Sequence, residues 1–232
     1  MRILIASDLH ANLEAVAALP VDYDELWVLG DLVHYGPNPR EVIEFVRANA
    51  SLVVRGNHDH AAAWQVDPRC SPPFRAMAEE TMRFTASVLT DSDREYLRSL
   101  PVRTERRVGE LRFLACHATP DDPLYDYQGR GSPFWEDELN RQSADVLLVG
   151  HTHQQFCHRW KHRLVVNPGS AGQSKGGAPL ACYAVWSDGK LGLESAAYDY
   201  ERTIAKVASL PLSPQVREEL STVLRTGSTG AL

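Results

Sequence analysis

The sequence predicts an α/β fold in which helices flank two β-sheets and a metal site lies at the carboxyl ends of the strands. Three observations support this fold class. Short apolar strands alternate with helices in the first part of the chain, short strands follow one another from residue 155 onward, and polar side chains come directly after several strands. Such alternation is typical of layered α/β domains, and open α/β sheets bind ligands at the carboxyl ends of their strands.

The spacing of apolar residues predicts the individual elements. The expected strands cover residues 2–6, 26–29, 52–54, 111–116, 146–149, 155–160, 164–166, 181–186 and 191–197. The expected helices cover residues 12–19, 40–48 and 74–89, and three more begin near residue 91, near Glu201 and at Pro214. Proline at the first helical position, here after the capping residue Ser213, is a common helix start.

The length and composition predict one globular domain. A chain of 232 residues with 44% hydrophobic and 23% charged residues can bury a full core. We expect the domain to span residues 1–225, with a helical insertion around residues 61–100 and a cap-like loop around residues 118–142. Residues 226–232 are small and polar, and we expect a flexible tail there.

The charge balance restricts the partners of the protein. A formal net charge of −6 argues against a protein that binds nucleic acid non-specifically, because such a protein needs a basic surface. A small phosphorylated substrate is compatible with this charge, since bound metal ions would reverse it locally. The sequence leaves a homo-oligomer open.

The cysteines and the first residues predict a cytoplasmic location. The four cysteines are scattered and form no CxxC pair, which argues against a disulfide framework or a thiolate zinc site and fits a reducing compartment. The apolar run after Met1 is too short for a signal peptide or a membrane span. We therefore expect no association with a membrane.

Side chains that can bind metals follow five of the predicted strands. They are Asp8 and His10, then Asp31, then Asn57, His58 and Asp59, then His117, and finally His151 and His153. Glycines 30, 56 and 150 stand directly before three of these clusters, where a small residue permits a sharp turn. One Asp-x-His pair arises often by chance, but five clusters at five strand ends do not. Carboxylates, imidazoles and an amide suit manganese, iron, zinc or nickel ions.

In this order the clusters resemble the signature of the calcineurin-like metallophosphoesterases. The matching motifs are Asp8-x-His10, Gly30-Asp31, Gly56-Asn57-His58-Asp59, His117 and Gly150-His151-x-His153. The segments SDLHANLEA, LGDLVHYGPNPREV and NPGSAGQ resemble the bacterial and archaeal branch that contains small phosphodiesterases and diadenosine tetraphosphatases. The resemblance covers roughly residues 1–197.

The resemblance implies two divalent metal ions that Asp31 bridges. Asp8, His10 and His153 would complete one site, and Asn57, His117 and His151 would complete the other. The two ions would lie about 3.5–4 Å apart, and a hydroxide between them would attack phosphorus in line with the leaving group. Manganese is the expected metal, with iron, zinc, nickel and magnesium as alternatives.

His58 and Asp59 are the candidate catalytic residues. The family role of His58 is that of a general acid for the departing oxygen or of a contact to the phosphate. Asp59 would orient the His58 imidazole and raise its pKa, or it would instead cap the helix that follows. The sequence leaves both roles of Asp59 open.

The second motif departs from the pattern of the Ser/Thr protein phosphatases of this superfamily. Those proteins typically read Gly-Asp-x-x-Asp-Arg-Gly, whereas His34 and Tyr35 replace the Asp-Arg pair here. The arginine that would clamp a phosphate is therefore missing. His34, Tyr35 and Arg55 are the candidate substrate contacts. For His34 the sequence favours a structural hydrogen bond over contact with substrate, and for Arg55 a structural ion pair is equally compatible with the sequence.

The leading functional hypothesis is hydrolysis of a phosphodiester or phosphoanhydride in a nucleotide-type substrate, such as a dinucleoside polyphosphate or a cyclic nucleotide. A Ser/Thr-type protein phosphatase and a non-catalytic metal-binding scaffold of the same fold are the alternatives. The aromatic residues of the loop after His117 either contact a base or pack a small cap. These residues include Tyr125, Tyr127, Phe134 and Trp135, with Arg130 among them.

Overall fold

The computed structural model of the protein describes residues 1–228 and contains two sheets of five strands each in that range. In chain order the strands are β1 (Arg2–Ala6), β2 (Glu25–Val28), β3 (Ala50–Val53), β4 (Arg103–Val108), β5 (Leu111–Cys116), β6 (Val146–Leu148), β7 (Gln155–Trp160), β8 (Arg163–Pro168), β9 (Leu180–Ser187) and β10 (Lys190–Ala197). The α-helices are α1 (Leu13–Ala17), α2 (Pro39–Asn49), α3 (Asn57–Trp64), α4 (Arg75–Val88), α5 (Asp91–Ser99), α6 (Phe134–Arg141), α7 (Tyr200–Ala208) and α8 (Pro214–Thr226).

Each sheet has a parallel centre. The first sheet has the order β10-β9-β1-β2-β3, and β1, β2 and β3 run parallel to one another. The second sheet has the order β4-β5-β6-β8-β7, and β5, β6 and β8 run parallel. Antiparallel strands flank both centres. The parallel strands of each sheet therefore end on one common side.

The main core lies between the two sheets. Alternate residues of β1 illustrate the packing: Ile3 and Ile5 face the second sheet, whereas Leu4 and Ala6 face the helices on the outer side. Across the interface, Phe113 of the second sheet packs edge to face against Trp27 with ring centres 5.4 Å apart. Both faces of β1 are apolar because both are buried, which is typical of a central parallel strand.

Helices cover the outer faces of both sheets. Apolar residues of α1, α2 and α5 pack on the first sheet, and Trp135 and Leu139 of α6 pack on the second sheet. Helices α4, α7 and α8 form a further apolar cluster that includes Tyr35. The predicted fold class, two sheets flanked by helices, is confirmed.

Three elements differ from the sequence expectation. Strand β4 reads RTERRV and escaped prediction, because it is an edge strand whose side chains are mostly exposed. Helix α3 has buried alanines on successive positions, so no periodic apolar stripe marks it. Helix α6 lies in the segment that the sequence presents as a cap-like loop.

The chain end is helical for longer than the sequence suggests. Helix α8 continues to Thr226, and Gly227 ends it in the left-handed conformation at φ +59°. Residues 229–232 of the predicted flexible tail lie outside the described residues. Over residues 1–228, every helix is too short or too polar to cross a membrane.

Candidate metal centre

The predicted ligands meet at one end of the two sheets. Asp8, Asp31 and Asn57 follow the parallel strands β1, β2 and β3, and His117 and His151 follow β5 and β6 of the other sheet. Two groups of ligand atoms result, Asp8 with His10 and His153, and Asp31 with His117 and His151. Within each group the ligand atoms lie no more than 4.8 Å apart. These are the two groupings that the resemblance implies, apart from Asn57.

The backbone at the ligands is strained. Five ligands adopt positive φ angles that non-glycine residues rarely adopt, namely Asp8 (54°), His10 (43°), Asp31 (56°), His151 (65°) and His153 (58°). Each such residue costs on the order of 1–3 kcal/mol, and such residues concentrate at functional sites. Gly56 and Gly150 permit this crowding, because a Cβ at either position would collide with Asp31 or with Ser7 and Asp8.

The first group presents lone pairs that face one another. His10 Nδ1 lies 3.1 Å from the carbonyl oxygen of Val33, and His153 Nδ1 lies 2.7 Å from that of Gln173. A carbonyl oxygen only accepts, so both Nδ1 atoms carry the proton of a neutral imidazole. Burial keeps both rings neutral, since it lowers the pKa of His10 to about 4 and that of His153 well below its ordinary value.

Both Nε2 atoms are therefore unprotonated, and they lie 3.1 Å apart. Asp8 Oδ1 faces the same point, 3.4 Å from Nε2 of His153 and 3.9 Å from Nε2 of His10. Three electron-pair donors converge without a proton between the two nitrogens. A cation relieves this repulsion, so the residues fit a metal ion.

In the second group, His117 and Asp31 lie close enough to form an ion pair where an ion would otherwise bind. His117 Nδ1 donates to the carbonyl oxygen of Leu29 at 2.7 Å, and its Nε2 lies 3.1 Å from Asp31 Oδ2. Burial alone would lower the pKa of His117, but the carboxylates of Asp31 and Asp8 prevail and raise it to about 10. Burial lowers the pKa of His151 to about 3, so that ring is a neutral donor.

Asp31 lies between the two groups. Its Oδ2 atom is 3.1 Å from His117 Nε2 of the second group and 3.8 Å from His10 Nε2 of the first. Its Oδ1 atom accepts a hydrogen bond of 2.9 Å from the backbone amide of His58, which fixes the carboxylate. This position suits a carboxylate that bridges two ions.

Asn57 completes the set of donors. Its Nδ2 donates to the carbonyl oxygen of Pro68 at 2.7 Å, which turns Oδ1 in the opposite direction. Among the residues that the structure describes, the buried Oδ1 has no hydrogen-bond partner. A buried oxygen of this kind is costly unless a ligand or water satisfies it, and a metal ion would do so.

The expected catalytic role of Asp59 is wrong. Its Oδ2 accepts from the backbone amides of Asp31 at 2.8 Å and Gly56 at 3.0 Å, and its Oδ1 accepts from that of Leu32 at 2.8 Å. Asp59 thus caps α3, the alternative that the sequence left open, and also holds the loop that carries Asp31. Its oxygens point at these amides because α3 begins at Asn57 and places Asp59 in its first turn.

His34 orients His58 instead. Nδ1 of His34 and Nδ1 of His58 form a hydrogen bond of 2.9 Å, and His58 Nε2 lies 3.5 Å from the thiol of Cys70. Burial lowers the pKa of His34 to about 3 and that of His58 well below its ordinary value. The expected rise in the His58 pKa is therefore wrong, because no carboxylate pairs with the buried ring in the part of the chain described. His34 takes the structural role, and only His58 of this pair borders the cavity described below.

The other two predicted substrate contacts, Tyr35 and Arg55, lie in different places relative to the cavity beside the ligands. Tyr35 is buried and borders the cavity next to the ligands, and its hydroxyl lies 3.4 Å from Cys70 Sγ. Arg55 is wrong as a substrate contact. Its guanidinium donates to the carbonyl oxygen of Arg98 at 3.0 Å and stacks 4.6 Å from the centre of the Trp64 ring, away from the cavity. Since α3 turns the chain after Gly56, Arg55 faces α5 and the end of α3.

A cavity of about 430 Å³ opens beside the ligands. Asp31, Asn57, His58, His151 and His153 form its floor. The walls contain residues that the sequence argument missed, namely Arg69, Cys70, Ser71, Phe74 and Lys175. These residues come from loops and from the start of α4, where no motif or apolar period marks them. A free cation near the NPGSAGQ segment was the available signal for Lys175.

The loop after His117 divides its aromatic residues between two roles. Tyr125 and Tyr127 border the cavity, whereas Trp135 is 1% exposed and packs in the core of the second sheet beside Phe134. The packing alternative is therefore seen for Phe134 and Trp135, whereas contact of Tyr125 and Tyr127 with a base stays a prediction. Asn167 stabilises the loop that carries His151, because its Nδ2 donates to the carbonyl oxygen of Gly150 at 2.7 Å.

A fold of two packed sheets with two convergent groups of Asp and His ligands defines a metallophosphoesterase architecture. The sequence profile of the Calcineurin-like phosphoesterase superfamily domain matches residues 1–188. The chain belongs to the calcineurin-like phosphoesterase superfamily, and the resemblance seen in the motifs is confirmed. This family implies divalent metal ions.

Individual relatives extend over different shares of the chain. A metallophosphoesterase from Sphaerobacter thermophilus has a crystal structure that superposes with a TM-score of 0.82 at 30% identity, over 98% of this chain and 100% of that chain. An uncharacterised protein of Methanocaldococcus jannaschii is 28% identical over 94% of this chain and 96% of its own length. A symmetrical bis(5'-nucleosyl)-tetraphosphatase of Tolumonas auensis is 30% identical over 68% of this chain and 56% of its own length.

Metal binding is expected to release a proton from the second site. In the metal-free protein His117 is protonated at neutral pH, because its folded pKa is raised to about 10. An ion must displace this proton, so the affinity of that site falls as pH falls and rises about tenfold per pH unit from about pH 7 to 9. Calorimetric titration of manganese in buffers of different ionisation enthalpy counts the released protons. Binding without net release would contradict the assignment of His117.

Replacement of His34 is expected to impair turnover without loss of metal. His34→Ala removes the hydrogen-bond partner of His58 Nδ1, so the His58 ring loses its fixed orientation. We expect turnover of a phosphodiester to fall about 10- to 100-fold at full metal content. His34→Asn, whose side-chain amide can donate to His58 Nδ1 and so leave the proton of the neutral ring on Nε2, should recover most of it. His60→Ala is the matched control, because His60 stacks on Trp64 outside the cavity. An unchanged rate in His34→Ala would refute the positioning role.

Proposed function

We propose that the protein is a dinuclear metal-dependent phosphoesterase that hydrolyses a phosphodiester or phosphoanhydride bond in a nucleotide-type substrate. The observation that carries this proposal is the pair of unprotonated Nε2 atoms of His10 and His153, which face each other and Asp8 at metal-ligand spacing. A purely structural cluster would have no need of this repulsive arrangement. Manganese is the proposed metal, because a site with both imidazole and carboxylate donors suits a transition-metal ion better than it suits magnesium.

Each ligand has a defined task in this proposal. Asp8, His10 and His153 would hold one ion, Asn57, His117 and His151 would hold the other, and Asp31 would contribute to both. Bound ions of this kind would supply an activated water and offset the negative charge on the phosphate oxygens. The burial of these ligands fixes their positions before substrate enters, which avoids reorganisation during the reaction.

His58 is proposed to contact the phosphate rather than to act as a strong acid. Burial holds the pKa of His58 well below its ordinary value, so the ring is neutral at neutral pH. A neutral imidazole donates a hydrogen bond without carrying a charge. His58 borders the cavity and is buried beside Asn57, so it can donate to an oxygen of the reacting group. Leaving groups of low basicity, such as phosphates and aryl alcohols, depart without a protonated acid.

The choice of a nucleotide-type substrate rests on three supports. Two relatives named symmetrical bis(5'-nucleosyl)-tetraphosphatases are 30% identical to the chain over 53% and 68% of its length. The Asp-Arg pair of the Ser/Thr protein phosphatases is replaced by His34 and Tyr35. Tyr125 and Tyr127 border the cavity, where they can contact a base. The four free cysteines support a cytoplasmic setting.

Hydrolysis by metal-stripped protein reloaded with manganese tests the proposal. The substrates are bis-p-nitrophenyl phosphate, p-nitrophenyl phosphate, diadenosine tetraphosphate and a phosphopeptide. We expect metal-dependent turnover of the diester and the tetraphosphate and slower turnover of the other two. A preference for the phosphopeptide would favour a protein phosphatase. Two bound ions without turnover of any of the four would favour the non-catalytic scaffold.

Two substitutions are expected to separate metal binding from turnover. Asp31→Ala removes the carboxylate that both ligand groups approach, so metal content and activity should fall together. His58→Ala leaves the ligands in place and should retain two ions while turnover falls about 100-fold or more. Metal analysis of both purified variants, beside their rates, makes the distinction. Loss of metal in His58→Ala would contradict this division of roles.

A further inference from the structure

Two cationic side chains border the cavity without an anionic partner. The Lys175 ammonium lies 4.4 Å from the centre of the Phe74 ring, and the Arg69 guanidinium lies 4.3 Å from the centre of the Tyr125 ring. Within residues 1–228, neither side chain forms a salt bridge or a hydrogen bond. Arg55, by contrast, donates to the carbonyl oxygen of Arg98.

Lys175 stands close to the metal ligands. Its positive charge adds to the effect of burial in lowering the pKa values of His153 and His10. Burial lowers the pKa of Lys175, and the negative charges of Asp8 and Asp31 partly oppose this shift. Lys175 and His153 also border a second cavity of about 460 Å³, which Arg130 and Gln154 line. Lys175 therefore lies at the junction of two cavities and beside the place where a reacting phosphate would bind.

A cation at this point favours a substrate with more than one phosphate. The proposed metal ions neutralise the reacting phosphate, so a further free cation has no role toward a simple ester. A neighbouring phosphate in the same substrate carries another negative charge, and an ammonium or guanidinium binds it through charge-assisted hydrogen bonds. The aromatic rings under both cations hold them in place without neutralising their charge.

We propose that Lys175 and Arg69 bind the second phosphate group of a phosphoanhydride substrate, while Tyr125 and Tyr127 contact its nucleobase. This inference rests on the proposed phosphoesterase function and narrows it to nucleoside polyphosphates, with simple diesters as poorer substrates. Lys175 is a specificity-determining residue in this account. It offsets charge on the leaving group and transfers no proton.

The reaction balances with water as the only co-substrate. The oxygen of water forms a new bond to phosphorus, the bridging P–O bond breaks, and its electron pair stays on the oxygen of the departing phosphate. Two phosphorylated products result, each with one new terminal phosphate oxygen, and the two protons of the water either stay on these oxygens or pass to the solvent. The charge that develops on the departing phosphate lies where Lys175 and Arg69 can stabilise it.

Equilibrium binding to the manganese-loaded protein tests the inference without turnover. The probes are adenosine 5′-(α,β-methylene)diphosphate, which resists hydrolysis, and adenosine monophosphate, which lacks the second phosphate. By calorimetry, the wild-type protein should bind the diphosphate about 10- to 100-fold more tightly than the monophosphate. Lys175→Met should remove most of this preference and leave the affinity for the monophosphate within about twofold. Lys190→Met, at an exposed lysine far from the cavity, is the matched control.

The outcomes distinguish this inference from the proposed function. Equal affinity for both probes in the wild-type protein, or an equal loss for both in Lys175→Met, would overturn the inference. Turnover of bis-p-nitrophenyl phosphate by the wild-type protein, measured in parallel, tests the phosphoesterase function on its own, and Lys190→Met should leave this turnover unchanged. Arg69→Met, at an exposed position, gives the same comparison if Lys175→Met does not fold.

Discussion

The contact between Nε2 of His10 and Nε2 of His153 is the constraint around which the site is built. Two lone pairs at 3.1 Å repel each other, and the backbone carbonyls at both Nδ1 atoms prevent either ring from protonating Nε2 as a neutral imidazole. Hydrogen bonds to the carbonyl oxygens of Val33 and Gln173 hold the two rings in this position. The free energy of folding therefore maintains a cluster of donors that only a bound cation makes favourable.

The rest of the architecture serves this cluster. The parallel strands of both sheets end on one side. Ligands that are far apart in sequence, such as Asp8 and His153, therefore lie together just beyond the strand ends. Asp59 accepts hydrogen bonds from three backbone amides and thereby fixes the loop after β2, where Asp31 has a positive φ angle. Asp59, which the sequence suggested as a catalytic residue, thus stabilises the backbone that positions the neighbouring ligand Asp31.

The electrostatics of the two ligand groups differ, and so do their consequences. The first group is neutral at its imidazoles, and burial raises the pKa of Asp8 to about 6. In the second group, Asp31 and His117 form a charged pair in the metal-free protein, because each stabilises the charged form of the other. One proton thus substitutes for part of the missing positive charge. The metal affinities of the two sites are therefore expected to depend differently on pH, even though their donors are alike.

The sequence predicts the ligands better than the cavity that surrounds them, and the reason is physical. Asp8, Asp31 and His117 directly follow apolar strands, so their meeting point follows from the direction of the strands alone. Lys175 and Arg69 lie in loops without periodicity, and their positions depend on how those loops pack in three dimensions. The partner of a polar side chain is equally hidden, since Asp59 had backbone amides, a histidine and solvent within reach. Only packing decides between them.

Anomalous diffraction from crystals soaked in manganese would locate the bound ions and their ligands. We expect two manganese ions about 3.5–4 Å apart, with Asp31 in contact with both and Nε2 of His10 and His153 on the same ion. A single ion, or two ions of which neither touches Asp31, would contradict this expectation.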